Sequence, residues 1–401
     1  MNGTWPSWME VRLDHLVHNV RQIKSYIGPD VRLCAVVKAN GYGHGAVPVA
    51  WAVLRGGTHC IGVGSVQEGI EIRQAGIRSD ILVLGGAYPD QVEAVPRFDL
   101  IQGIQNGEIA EELDRVARKS EKIVRVHVKV DTGMGRLGIP WDEFPDVWDR
   151  ISGYGGIRVE GIYSHFAESS SSDKRFSELQ MRRFENVRSY VTSRGNTIPL
   201  WHFCNSGGIL QHSKAYSSMV RSGLLVYGWS PVNSRPSGLD LRPVLTWKSR
   251  VLSIKTIRKG ESVSYGRSWI AEKDERVAVV PVGYHDGYDR GLSHGGQVLV
   301  EGQQAAVVGD VCMDNLMILI TKIPKVRLWS EVVLMGSQGK RTITPVDMAG
   351  WSKTIPYEVL CRIGRRIPRI YCWEEKKIAR STFLDSTVST RVLDEAAGIV
   401  Q

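Results

Sequence analysis

The chain has 401 residues, of which 42% are hydrophobic and 23% are charged, and it carries a formal net charge of +9. This composition is typical of a well-packed protein of more than one domain, and it excludes a disordered or membrane-embedded chain. The basic residues are scattered and do not form compact Lys/Arg blocks interleaved with aromatic residues, so we expect no nucleic-acid partner.

The N-terminal segment and the cysteines narrow the class of protein further. Residues 1–6 lack the basic start and apolar stretch of a secretion signal, and no apolar run reaches membrane-spanning length. We therefore expect a cytoplasmic protein with no membrane partner. The cysteines lie far apart without a C-x-x-C pair, which predicts neither a zinc or other metal site nor a disulfide framework. We interpret them mostly as small core residues: Cys34, Cys60, Cys204, Cys312, Cys361 and Cys372.

Short apolar runs follow one another through the first half of the chain, with helix-like or looped material between them. They come after a short extended segment at 8–13 and a helix that ends at Gly28-Pro29. Eight buried strands alternating with helices predict an α/β fold, an eight-stranded β/α (TIM-like) barrel. The predicted strands are Leu33–Val37, Ile61–Val63, Ile81–Leu84, Leu100–Ile101, Val124–Val130, Val159–Tyr163, Leu200–Cys204 and Met219–Val226.

The pattern of the sequence changes after Tyr227. Residues 230–238 are rich in Ser, Pro, Gly and Asn, and beyond them few helical windows remain. Strand-like runs there predict a second, mainly β C-terminal domain: Val244–Ile257, Arg276–Val282, Gln297–Val300, Ala305–Val308 and Val332–Met335. We predict a barrel domain at residues 1–238, a mainly β domain at 239–375 and a C-terminal tail at 376–401.

The segment Cys34–Gly45 runs a buried strand into Lys38 and then into a glycine-rich turn. Chemistry in a β/α barrel sits at the carboxyl ends of the strands. A partly desolvated lysine at such a position has a lowered pKa, and its free amine forms a Schiff base with an aldehyde cofactor. An ordinary solvated lysine is the alternative. The stretch from Ala35 to Gly45 resembles the cofactor-binding signature of the alanine racemase family. The resemblance extends to about Tyr371 and implies pyridoxal 5'-phosphate bound through Lys38, with Tyr42 contacting its phosphate.

A second stretch that resembles the family begins at Lys129. In the strand before it, valines alternate with Arg125, His127 and Lys129. Helices cover the outside of a barrel, so the valines should point outward and Lys129 inward. The resemblance implies that Lys129 is carbamylated and that its new negative charge orients Arg136, which helps to hold the substrate. The alternative is an ordinary Lys129 cation paired with Asp131.

Residues that follow later barrel strands resemble the family's cofactor contacts. Arg221 matches the arginine that faces the pyridine nitrogen. A guanidinium keeps its protons at any working pH, so it donates to that nitrogen without protonating it. The ring is then a weaker electron sink, which disfavours transamination and suits rapid return of a proton. The resemblance also implies that His165 lies next to the pyridine ring. It implies that the phosphate is bound by Ser206, Gly223 and Leu224.

Racemisation needs proton transfer on both faces of the α-carbon, which one base cannot easily perform. Lys38 would serve one face, and Tyr265 matches the family's second catalytic group, which comes from the partner subunit. The resemblance therefore implies a homodimer with shared active sites, whereas an exposed strand tyrosine is the alternative. Further matches imply that Met313 donates from its backbone to the substrate carboxylate, that Tyr357 binds phosphate and that Tyr284 lies in the entryway.

The resemblance implies interconversion of L-alanine and D-alanine, which supplies D-alanine for peptidoglycan synthesis. Ser170 stands where an entryway aspartate is usual, and Asp310 where its arginine partner is usual. This departure leaves open a racemase of serine or of a broader range of amino acids. A decarboxylase of the same barrel family would pair the ring nitrogen with a carboxylate. A non-catalytic cofactor-binding barrel would lack the β domain, and a metal-dependent barrel hydrolase would need an H-x-H pair that the sequence lacks.

Overall fold

The computed structural model describes residues 5–232, 237–382 and 388–398. The chain forms two compact units that are interleaved in sequence. One unit, the barrel unit, consists of His15–Gly41 and Val49–Arg242. The other, the β unit, consists of Met1–Asp14, Tyr42–Pro48 and Pro243–Gln401. The sequence-based boundaries at 238 and 375 remain predictions.

The barrel unit contains the predicted barrel. Its eight strands are parallel, and hydrogen bonds between Arg32–Val36 and Met219–Ser222 and between Ile101–Ile104 and Val124–Asp131 close the ring. The remaining strands are Cys60–Val63, Ile81–Val83, Ile157–Tyr163 and Leu200–His202. A short strand, Ile139–Pro140, pairs with the end of Val124–Asp131. The structure confirms the eight-stranded β/α barrel.

Helices alternate with the barrel strands because their apolar residues recur at helical spacing. Gly107–Lys119 shows how the sequence directs this: the Asn106 side chain accepts a hydrogen bond from the Ile109 N–H at 3.0 Å and caps the helix, whose apolar side is buried. The other helices of this half of the chain are Leu13–Ile27, Ala46–Arg55, Val66–Gln74, Ala94–Arg97, Phe144–Ile151, Arg175–Ser193 and Ser206–Gln211.

The β unit is built around one eight-stranded sheet. Its central strand is Ser7–Arg12, which pairs antiparallel with Leu245–Arg250 and parallel with Arg369–Trp373. The remaining strands of this sheet are Gln297–Val300, Gln303–Ala306, Glu331–Gln338, Arg341–Ile343 and Lys376–Ser381. Smaller sheets contain Ser253–Ile257 with Glu275–Val280 and Leu316–Leu319, and Ser262–Val263 with Trp269–Ile270. The structure confirms a mainly β C-terminal domain.

Two helices in the β unit, Pro345–Ser352 and Pro356–Arg362, follow the last of the predicted strands and were not predicted. Each begins with a proline, whose fixed φ favours the first helical position. Thr344 and Asp347 add a capping box at the first helix. A third helix, Thr390–Ala396, lies in the predicted C-terminal tail.

Arg369 ties several loops of the β unit together. Its guanidinium donates to the carbonyl oxygens of Gly43, Ile363, Gly364 and Ile367 at 2.6–3.1 Å. The residue is 4% exposed, and burial lowers its pKa to about 10. A fixed cationic fork therefore holds four carbonyl oxygens of the β unit in place.

Cysteines and membrane-spanning potential bear on the class of protein. Cys34, Cys60, Cys204 and Cys372 are buried, Cys312 is half-buried and Cys361 is exposed; none of the six forms a disulfide bond within the described residues. Within the three described ranges, no helix is both long enough and apolar enough to cross a membrane.

Candidate active site

Lys38 lies where the strand Arg32–Val36 gives way to a left-handed turn. The next four residues have φ values of 53°, 53°, 60° and 50° from Ala39 to Tyr42. Only Gly41 among them lacks a β-carbon, so the turn stores backbone strain of about 1–3 kcal/mol at each of the others. Glu68 holds the turn: its carboxylate accepts from the Ala39 N–H at 2.7 Å and from the Gly64 N–H at 2.6 Å.

Arg221, 3% exposed, lies at the end of another barrel strand. Nη1 donates to His202 Nδ1 at 2.7 Å, and Nη2 contacts His165 Nδ1 at 3.1 Å and the Ser164 carbonyl oxygen at 2.6 Å. Across the described part of the chain, Nε makes no hydrogen bond and no carboxylate forms an ion pair with this arginine. One N–H of a buried guanidinium therefore remains for a further acceptor.

The histidines beside Arg221 are neutral. Burial, followed by the Arg221 charge, lowers the pKa of His165 and that of His202 well below the usual value. Arginine is always a donor, so Nδ1 of each ring accepts and each Nε2 carries the proton. The ring of Tyr163 stacks on His202 with centroids 4.8 Å apart, and the Arg221 guanidinium carbon lies 5.3 Å from the same tyrosine ring.

Lys129 is 5% exposed and points into the barrel, as the alternation of its strand predicts. Burial, followed by the positive charges of Arg136, Arg221 and Lys38, lowers its pKa to about 8. Its Nζ lies 5.8 Å from the ring centroid of Tyr163. An amine with this pKa is partly neutral near pH 8 and is surrounded by cations.

Asp131 does not form the ion pair that the alternative interpretation of Lys129 requires. Its Oδ1 accepts from the backbone N–H groups of Gly133, Met134 and Gly135 at 2.8, 2.8 and 3.2 Å. Within the described ranges, no carboxylate lies within 4.0 Å of Lys129 Nζ. Asp131 therefore shapes the loop that carries Arg136, and the lysine keeps an excess of positive neighbours.

Ser206 and Gly223 meet at the carboxyl end of the barrel. The Gly223 N–H donates to Ser206 Oγ at 3.0 Å, and Leu224 next to it is fully buried. Ser222 Oγ is also buried and has no hydrogen-bond partner among the described residues. This end of the barrel thus brings together a hydroxyl, backbone N–H groups and an orphaned polar atom, which are the donors that bind an anionic group.

Tyr42 and Tyr357 lie side by side in the β unit, with ring centroids 5.9 Å apart. Burial raises the pKa of Tyr357 to about 12 and raises that of Tyr42 beyond the usual range. Both phenols therefore stay protonated and serve as O–H donors. A Cβ at Gly43 would lie 2.3 Å from the Leu360 carbonyl oxygen, so only glycine permits this close approach, at φ +80°.

Three predicted substrate-facing residues of the β unit are solvent-exposed in the single chain: Tyr265 at 74%, Met313 at 52% and Tyr284 at 44%. Tyr265 begins a tight turn that follows Ser264, whose φ is 73°. Ser264 Oγ donates to the Asp310 carbonyl oxygen at 2.7 Å. This contact fixes the base of the exposed tyrosine.

Met313 is fixed by its backbone, while its side chain is exposed. Its carbonyl oxygen accepts from the His285 N–H at 3.1 Å. A Cβ at Gly283 would lie 2.3 Å from that oxygen, so the two loops are in direct contact. In the part of the chain described, the Met313 N–H makes no hydrogen bond, which leaves it available to an acceptor.

The two positions that depart from the family pattern lie in different units. Ser170 is exposed in the barrel unit. Asp310, in the β unit, accepts from Arg290 Nη2 at 2.9 Å and from His294 Nε2 at 3.2 Å. The hydrogen bond from Arg290 lowers the pKa of the Asp310 carboxyl group. Asp310 therefore pairs with a cation, Arg290, within its own unit.

Sequence reasoning did not identify Tyr163, His202 or Glu68 as parts of this site. Tyr163 and His202 are the last residues of their strands, and that position at the carboxyl end of a barrel strand is the signal that could have found them. Ser65 and Glu68 fit a helix-capping pattern, which predicts only a helix start. The contact of Glu68 with the Lys38 turn depends on tertiary structure.

Known proteins resemble this chain over most of its length. Residues 11–231 match the family model of the alanine racemase N-terminal domain, and residues 244–371 match that of the alanine racemase C-terminal domain. An alanine racemase from Halothermothrix orenii is 40% identical over 368 residues, which cover 92% of this chain and 97% of that relative.

Solved structures give the same result. Alanine racemase from Bacillus anthracis, with bound L-Ala-P, matches with a TM-score of 0.90 and 32% identity, over 96% of this chain and 100% of that one. Alanine racemase from Bartonella henselae, with covalently bound pyridoxal phosphate, matches with a TM-score of 0.83 and 26% identity, over 92% of this chain and 100% of that one. The chain belongs to the alanine racemase family.

Proposed function

We propose that this protein interconverts L-alanine and D-alanine with pyridoxal phosphate and so supplies D-alanine for peptidoglycan synthesis. The observation that carries the proposal is Arg221: a buried arginine, contacted by neutral histidines and carbonyl oxygens, at the carboxyl end of the barrel. Arginine donates a hydrogen bond without giving up its proton. Such a group suits racemisation, whereas a decarboxylase would present a carboxylate at this position.

The residues fit the cofactor. Arg221 Nε is the remaining donor for the pyridine nitrogen, and His165 lies beside it. Ser206, Gly223 and Leu224 would bind the phosphate. The protonated phenols of Tyr42 and Tyr357 are donors of the kind that also binds a phosphate. The covalently bound pyridoxal phosphate of the Bartonella henselae relative supports attachment through Lys38. When bound, pyridoxal phosphate supplies an electron-withdrawing ring that acidifies the α-hydrogen of an attached amino acid.

The chain supplies two proton carriers of different kinds. Lys38 Nζ would accept or return a proton on one face of the substrate α-carbon, and the Tyr265 phenol oxygen would do so on the other. The Met313 N–H and the Arg136 guanidinium would hold the substrate carboxylate. The strained turn after Lys38, held by Glu68, would keep the amine in position.

We infer that the active unit is a homodimer in which Tyr265 of each subunit serves the other subunit's Lys38. Tyr265, Met313 and Tyr284 are the support, because all three are exposed in the single chain although the proposed chemistry needs them at a site that excludes water. A partner subunit would bury these side chains and complete the site.

We also propose that Lys129 is carbamylated. A neutral amine adds to carbon dioxide and releases one N–H proton to water, which gives a carbamate anion. The pKa of about 8 makes part of Lys129 neutral near physiological pH. The product carries a negative charge among Arg136, Arg221 and Lys38, so three repulsive neighbours become attractive ones. Protein equilibrated with ¹³C-bicarbonate should show a carbamate carbon resonance that is absent from Lys129→Met.

The decisive experiment is a coupled assay of D/L interconversion on alanine, serine and lysine, with carbon dioxide release measured in parallel. We expect interconversion of alanine without carbon dioxide, and loss of both activity and covalently held cofactor in Lys38→Ala. Carbon dioxide without interconversion would identify a decarboxylase instead. Serine is included because Asp310 is paired with Arg290 inside its own unit, which changes the charge near Tyr265 and leaves room for a broader substrate range.

A further inference from the structure

A cavity lies at the opposite end of the barrel from Lys38. It encloses about 430 Å³ and is lined by the residues that begin the barrel strands. Its apolar floor includes Cys60, Leu82, Ile101 and Leu200, which belong to one buried cluster inside the barrel. Its walls carry arginines, carboxylates and histidines. The cavity lies wholly within the barrel unit and has no part in the proposed catalysis.

The charged groups of this cavity are not balanced. Asp80 accepts from Arg125 at 2.6 Å, and Glu160 accepts from Arg158 at 2.6 Å, so each lining carboxylate is already paired. Arg32 has no carboxylate within 4.0 Å in the described ranges; its guanidinium contacts only His59 Nε2, at 3.4 Å. The lining therefore keeps one guanidinium without a counter-charge.

His127 contributes a buried donor with no acceptor. Arg221 Nη1 donates to His202 Nδ1, so the proton of His202 is on Nε2, which contacts His127 Nδ1 at 2.8 Å. His127 must then accept at Nδ1 and carry its own proton on Nε2. Burial lowers the pKa of His127 to about 3, which keeps the ring neutral and this order of protons fixed.

His127 Nε2 has no hydrogen-bond partner among the described residues, although the side chain is 1% exposed and lines the cavity. A buried N–H without an acceptor destabilises the folded protein, and a bound acceptor would remove that cost. The cavity thus combines two groups that lack an acceptor or a counter-charge: the His127 Nε2–H and the Arg32 guanidinium. The proton lies on His127 Nε2 because of the hydrogen bonds from Arg221 through His202.

We propose that this cavity is a binding site for a small carboxylate anion, which accepts from His127 Nε2 and pairs with the Arg32 guanidinium. One carboxylate supplies the single negative charge that the lining lacks and the acceptor oxygens that both donors need. A doubly charged anion would exceed the unpaired charge. The apolar floor suits the carbon part of a small organic acid. The proposal is independent of cofactor binding and of the racemase assay.

Acetate is the probe. Histidine side-chain NMR of the ¹⁵N-labelled holoenzyme, titrated with sodium acetate at constant ionic strength, should show a saturable shift of the His127 Nε2 resonance, which His127→Gln identifies. Arg32→Gln should weaken the apparent affinity roughly 10- to 100-fold, the value of a charge-assisted hydrogen bond. Arg32 is exposed, so this variant should fold.

Two control variants locate the effect. Arg182→Gln removes an exposed arginine elsewhere in the barrel unit, and Arg136→Gln removes the arginine proposed to hold the substrate carboxylate. Both should leave the acetate titration of His127 unchanged. A cavity that holds water only would give no saturable shift and would overturn the proposal. A shift lost in Arg136→Gln but retained in Arg32→Gln would overturn it as well, because acetate would then act from the catalytic end.

Discussion

Replacing Lys129 by methionine tests the electrostatics of the site without an activity assay. Each pKa unit corresponds to about 1.4 kcal/mol, so lowering the lysine pKa from 10.5 to about 8 costs the folded state about 3 kcal/mol. Methionine has a similar length and no charge, and the side chain is only 5% exposed. In carbon dioxide-free buffer at pH 7, Lys129→Met should therefore unfold at a higher temperature than the wild type.

The direction of the pKa shift determines how the stability difference between the two proteins changes with pH. Lysine is a base whose pKa falls on folding, so the folded state binds this proton less tightly than the unfolded state does. The cost is complete below about pH 8, declines as the pH rises towards 10.5 and is absent above that value. The advantage of Lys129→Met should shrink over the same range. Lys325→Met, at an exposed lysine of the β unit, should show no such trend.

Bicarbonate supplies the second arm of this experiment. If Lys129 is carbamylated, bicarbonate should stabilise the wild type and not Lys129→Met. The difference between their unfolding temperatures should then become smaller or change sign. Differential scanning calorimetry of both proteins, with and without bicarbonate, measures this directly. The reasoning would be refuted if, without carbon dioxide at pH 7, the wild type were more stable than Lys129→Met by an amount that does not vary with pH. That result would favour an ordinary ion pair at Lys129.

Two further predictions concern the assembly and the β unit. Mixing Lys38→Ala with Tyr265→Phe subunits after dissociation should restore about one quarter of wild-type racemase activity. Statistical pairing makes half of the dimers mixed, and each mixed dimer has one intact site of two. A mixture as inactive as its components would show that both groups act within one subunit. Arg369→Ala should lower the free energy of unfolding by about 3–5 kcal/mol, since four carbonyl oxygens lose the hydrogen bond from Arg369. Urea unfolding measures the loss, which Arg369→Lys should reduce; a change below about 1 kcal/mol in Arg369→Ala would contradict this role.

The barrel was predictable because its signal is local. Parallel strands buried on both faces appear as short apolar runs. In one such run, the alternation of Lys129 with Val124, Val126 and Val128 also predicted that the lysine points into the barrel. The helices Pro345–Ser352 and Pro356–Arg362 were missed because they are short and lie among strands, and their initial prolines were the available signal.

The division of the chain into units depended on long-range pairing. Ser7–Arg12 is recognisably extended in the sequence, but its partners Leu245–Arg250 and Arg369–Trp373 lie more than 200 residues away. Local propensity predicts that a segment is extended but does not identify the strand with which it pairs, because sheet stability comes from cross-strand pairs.

The sequence by itself determined the residue types that carry the chemistry: a lysine at a strand end, an arginine in place of a carboxylate, and an inward lysine among positive charges. Only the tertiary structure decided how they act on one another. The proton order from Arg221 through His202 to His127, the lowered pKa of Lys129 and the hold of Glu68 on the left-handed turn all depend on distances between strands. Hydrogen bonds and desolvation act over a few ångströms in space, and spacing along the chain does not encode those distances.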